Sequence, residues 1–117
     1  MEELMKKSEL SALLKSVCAA VNEGISSEAN RNVFPRIVYW AYAEEDVLAS
    51  GESYVNKATY QVSIYARTPQ CDVYKSLRKK LKEVGLHPVF YHEYVENDPI
   101  YSKCWHTYFA IEVLEES

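Results

Sequence analysis

Two segments of this chain alternate with the two-residue period of a β-strand, and in both the polar side keeps a tyrosine. Along Tyr60–Arg67 one face is Tyr60, Val62, Ile64 and Ala66, and the other is Gln61, Ser63, Tyr65 and Arg67. Along Trp105–Leu114 one face is Trp105, Thr107, Phe109, Ile111 and Val113, and the other is His106, Tyr108, Ala110, Glu112 and Leu114. Such alternation requires strands with one face turned to a core. Tyrosine on the second face is amphipathic and rotamer-poor, a residue enriched where protein meets protein. A third stretch, Arg36–Glu44, is apolar on both faces, Ile37/Tyr39/Ala41/Ala43 and Val38/Trp40/Tyr42, and asks for cover on each side.

Between the strands the period lengthens to that of a helix. Leu10, Leu14, Val17 and Val21, flanked by Leu13 and Cys18, predict a helix over about Glu3–Glu23 that stops at Gly24. Thr68-Pro69 reads as an N-cap and first helical position, Val73, Leu77, Leu81 and Val84 as the apolar stripe of a second helix, and Gly85-Leu86 as its C-cap. Ile25–Asn32 is a polar connector. Glu44-Glu45-Asp46 through Ser50-Gly51 reads as a solvated loop joining Arg36–Glu44 to a strand over Ser53–Arg67 in a hairpin. Val89–Glu96, the turn Asn97-Asp98-Pro99 and Lys103–Leu114 form a second hairpin. The order α-β-β-α-β-β predicts an α+β, two-layer domain: a mostly antiparallel four-stranded sheet with both helices on one face. A chain of 117 residues is one such domain, with residues 1–7 and 115–117 as frayed ends.

Chemistry is sparse. Three glycines scarcely make a phosphate loop, and no serine sits in a nucleophile elbow. Cys104 and His106 share one face and a hairpin could bring His92 opposite, yet zinc needs three or four ligands and no fourth candidate is evident, so they read as surface histidines and a buried thiol. Cys18, Cys71 and Cys104 are odd in number and far apart, which suits reduced thiols. With a net charge of −4 the domain is poorly suited to grip nucleic acid, and the cluster Lys75, Arg78, Lys79, Lys80 and Lys82 reads as the solvated side of the second helix. No apolar run reaches the ~18 residues of a membrane helix, and Met1–Lys7 lacks the pattern of a signal peptide, so a soluble intracellular protein is expected.

The leading helix, the Pro35–Trp40 strand, the acidic loop, Ala58–Tyr65, the next helix and a final hairpin ending in His106–Val113 together resemble the small tail-completion proteins of long-tailed bacteriophages. The resemblance spans about residues 8–114 and rests on hydrophobic and aromatic positions rather than signature residues. It is to the tail-terminator family, and it implies a ring, commonly a hexamer. Such a ring caps the tail tube, stops its growth and joins it to the head, with no catalytic residue, cofactor or metal. The implied partners are further copies of the chain, the tail-tube protein and the head connector, in the host cytoplasm and then in the virion. DNA would pass through the ring without specific binding, and no membrane is involved. Trp40, Tyr42, Tyr54, Tyr65 and Tyr108 are the expected oligomer interface, so that truncating Tyr65 and Tyr108 should weaken assembly and spare the fold. Glu44, Glu45 and Asp46 are expected to face the lumen or the tail tube. The alternative is a ferredoxin-like dimeric module or enzyme whose pocket is lined by Trp40, Tyr42, His92 and His106.

Overall fold

In the computed structural model, which describes residues 5–48, 51, 54–96 and 103–115, six strands share one sheet. The elements run β1 (Met5–Lys6), α1 (Lys7–Val17), β2 (Val21–Glu23), β3 (Arg36–Leu48), β4 (Tyr54–Ala66), α2 (Asp72–Glu83), β5 (Tyr91–Val95) and β6 (Cys104–Leu114). The strand order is β1-β6-β4-β3-β2, and β5 pairs with β6 on the same edge as β1. The long strands β3, β4 and β6 pair antiparallel, as does β5 with β6, whereas β1 and β2 join β6 and β3 in parallel. The result is a mixed, curled half-barrel of six strands, which replaces the expected mostly antiparallel four-stranded sheet of a two-layer domain.

Three local effects account for the difference. The stripe through Val21 does not continue the helix, because the chain turns extended at Cys18 (φ −147°, ψ 137°). There the Cys18 thiol meets the carbonyls of Ala20 and Pro35, and the Ile37 amide donates to Ala20 O at 2.8 Å. Val21–Glu23 is thereby aligned with Ile37–Tyr39. The acids Glu44, Glu45 and Asp46, expected in a loop, are instead strand residues paired with Ala58, Lys57 and Asn56. Lys57 bridges Glu45 at 2.8 Å and Glu112 at 3.4 Å, offsetting the weak strand preference of acids. The ladder also slips between Ala41 and Ala43, leaving Tyr42 as the extra residue of a bulge, a device that bends and twists a sheet.

Helix α2 starts later than Thr68-Pro69 implies, at Asp72 with Cys71 as N-cap. Its end is a Schellman turn: Leu86 N donates to Leu81 O (2.8 Å) and Gly85 N to Lys82 O (3.0 Å), with Gly85 at φ 80°. Val84, counted in the apolar stripe, is the exposed C-cap. Leu10 and Leu14 of α1 and Val73, Leu77 and Leu81 of α2 pack on one face of the sheet with Ile37, Tyr60, Val62, Ile64, Phe109, Ile111 and Val113. Burying these side chains removes apolar area from water, the main favourable term in folding.

Candidate functional site

The opposite face is not bare. Register sets Arg36 beside Tyr65, Tyr65 beside His106 and His106 beside Glu93, one residue from each of β3, β4, β6 and β5. Adjacent members of this row are close enough to interact as cross-strand pairs. The Arg36 guanidinium lies 4.7 Å from the centroids of both Tyr65 and Phe34, and Arg67 covers Phe34 at 4.2 Å. His106 is stacked between Tyr65 (4.8 Å, 6°) and Tyr108 (4.7 Å, 25°), and Tyr108 stacks on Tyr91 (5.3 Å, 22°). A continuous ladder of rings and guanidinium groups therefore crosses the face. Arg36 itself is fully buried, donating to Ser26 Oγ and Val33 O.

His106 is held at both ring nitrogens: Nδ1 is 2.8 Å from Glu93 Oε1 and Nε2 is 2.8 Å from Ser63 Oγ. A carboxylate only accepts, so the neutral ring carries its proton on Nδ1 and accepts the Ser63 hydroxyl at Nε2, while Gln61 Nε2 donates to Ser63 Oγ at 3.2 Å. Ser–His–acid is the order of a serine-hydrolase relay. Here Ser63 has no exposed surface, so its hydroxyl meets no substrate, and the relay satisfies a polar group in the middle of the sheet.

Tyr65 and Tyr108, expected at an interface that the fold could spare, are half-buried rungs of this ladder, so the fold rests on them too. Trp40 is half-buried beside a cleft of about 360 Å³ lined by Ile25, Ser26, Arg36, Val38 and Tyr65. His92 does not join His106: it stands opposite Thr107, bonded to its Oγ1 at 2.9 Å and edge-on to Tyr74, on the helix side of the sheet. The residues proposed for an enclosed pocket are thus divided between two faces. Among the described residues no group of three or more His, Cys, Asp or Glu side chains is arranged to hold a metal.

Tyr42 and Tyr54 are different, 58% and 68% exposed. β6 ends its pairing with β4 at Leu114↔Lys57, but β3 and β4 run on together through Asp46↔Asn56, Val47↔Val55 and Leu48↔Tyr54. This two-stranded arm exposes Val47 and Leu48 as well as Tyr54. β2 accompanies β3 only to Tyr39, so among the described residues Trp40–Leu48 has no strand on its outer side. The period-2 pattern is the sequence signal that reaches the ladder; the open edge leaves none, because it depends on where a three-residue strand stops.

No protein-family model matches the chain, and no curated protein is a significant match to it.

Proposed function

We propose that this chain is a structural assembly subunit of the tail-terminator kind, whose copies close into a ring that caps a phage tail tube and meets the head. The projecting arm carries this reading. An edge of β3 that is open among the described residues, continuous with exposed Tyr42, Val47, Leu48 and Tyr54, is a surface that isolated copies leave unfinished. A patch on an arm, offered to a different surface of the next copy, gives a heterologous contact, and such contacts generate rings when the rotation between copies closes. The net charge of −4 suits a passage through which DNA slides rather than sticks.

Native mass spectrometry and electron microscopy of the purified chain, alone and with tail-tube protein, test this. Rings of fixed subunit number are expected in at least one of the two conditions. A monomer in both would overturn the reading. The cleft beside Arg36, Trp40 and Tyr65 favours a second reading, a small-molecule-binding module, which predicts a ligand-dependent rise in melting temperature and no ring.

A further inference from the structure

Helix α2 presents a groove of about 330 Å³ lined by Gln70, Tyr74, Lys75, Arg78, Lys79 and Lys82. Its cations are exposed, and Lys75, Lys79 and Lys82 form no ion pair among the described residues. The arm supplies the opposite sign. Glu45 is engaged by Lys57, but Glu44 and Asp46 are exposed and likewise form no ion pair among the described residues. They share one face of the arm with Leu48 and Tyr54, as the pairings Glu44↔Ala58, Asp46↔Asn56 and Leu48↔Tyr54 require.

We propose that the acidic face of the arm, Glu44 and Asp46, docks on the basic groove of α2, Lys75 and Lys79, in a second copy of this chain. The inference rests on the ring reading and names the surfaces that would join its subunits. Spacing supports the match. Residues two apart on a strand are about 6.6 Å apart along it, and residues four apart on a helix are about 6 Å apart along its axis, so two carboxylates meet two ammonium groups in register. Position supports it as well. The groove's Tyr74 packs on Phe90 and His92, toward the β5 edge of the sheet, whereas the arm leaves from the β3 edge. Surfaces at opposite edges give a head-to-tail contact, which repeats from copy to copy.

The test is a charge exchange on exposed residues, read by sedimentation velocity on the whole chain under the condition in which the wild type assembles. Glu44→Lys with Asp46→Lys, and separately Lys75→Glu with Lys79→Glu, should each raise the concentration needed for half-assembly by about tenfold or more, as loss of close charge pairs does. Mixed one to one, the two variants should assemble again, because every arm–groove contact in an alternating ring is then complementary. Circular dichroism of each variant checks that both remain folded, and the mixing arm keeps the result decisive. Normal assembly of either variant alone, or failure of the mixture to recover, overturns the docking while leaving the ring intact. A wild type that never assembles overturns the ring reading itself, and the docking with it.

Discussion

Truncating Tyr108 should unsettle the fold, whereas truncating Tyr42 and Tyr54 should not. In the structure the Tyr108 ring is stacked on His106 at 4.7 Å and on Tyr91 at 5.3 Å. Each aromatic pair contributes about 0.5–1.5 kcal/mol beyond area burial, so losing both costs about 1–3 kcal/mol. Half-burial of the ring adds roughly 1 kcal/mol, taking half of the value for a fully buried large side chain. Tyr108→Ala should therefore destabilise by about 2–4 kcal/mol, a fall in Tm of roughly 10 °C in a domain of this size. Tyr108→Phe keeps the ring and should remain near wild type. Tyr42→Ser with Tyr54→Ser removes exposed rings and should change stability by only about 0.5 kcal/mol per site, while weakening assembly at least tenfold if the arm is the contact. Urea titration and calorimetry on the same samples, followed by native mass, separate the two effects. A Tyr108→Ala chain as stable as wild type would refute the ladder as a structural element, and a destabilised Tyr42→Ser/Tyr54→Ser chain would refute the independence of the arm.

Tyr60 is buried and donates to Glu115 Oε1 at 2.6 Å; burial first, then that bond, pushes its hydroxyl up to about 12. Because the folded value lies above the ordinary value of about 10, this contribution to stability is complete below pH ~10 and is lost as pH rises through about 12. Urea midpoints between pH 9 and 11.5, about the span that matters, should fall more steeply for wild type than for Tyr60→Phe; parallel curves would show that Tyr60 contributes nothing there. Leu77 is fully buried between α2 and the sheet, and Leu77→Ala should cost about 2–5 kcal/mol in a urea titration with unchanged m. Cys18 and Cys104 are buried and Cys71 is half-exposed, and burial also pushes the Cys18 thiol up. A thiol reagent should therefore modify Cys71 first in the native protein and all three only in denaturant, and equal rates in native buffer would contradict this packing.

What the sequence reveals and what it conceals divides by the range of the interaction. The stripe Val73, Leu77 and Leu81 and the Gly85-Leu86 stop are written within one helix, and α2 forms there. The alternation in Tyr60–Arg67 and Trp105–Leu114 likewise assigns core and outer faces correctly. The strands β1 and β2 are two and three residues long, too short for any period, and exist only because Val113-Leu114 and Ile37–Tyr39 offer edges to them. The acids at Glu44–Asp46 have loop composition and strand conformation, since the partner strand and Lys57 outweigh propensity. The row Arg36–Tyr65–His106–Glu93 is equally hidden: the alternation places Tyr65 and His106 on their second faces, but the adjacency of all four depends on three registers at once.

The same acids bear on the kind of oligomer the arm can make. The edge from Trp40 to Leu48, unpaired among the described residues, is a template for any passing strand, and the simplest occupant is the same edge of another copy. Antiparallel pairing of two such arms centred on Glu45 would set Glu44, Glu45 and Asp46 of one copy against Asp46, Glu45 and Glu44 of the other, and like charges placed opposite are destabilising. The Tyr42 bulge adds twist at the start of the open segment, which further spoils a flat seam. Two-fold pairing of arms is thus penalised by the residues that leave the arm attractive to a basic surface. If the acidic face of the arm docks on α2 as proposed, the contact is head-to-tail rather than two-fold, and it builds a ring where its rotation closes.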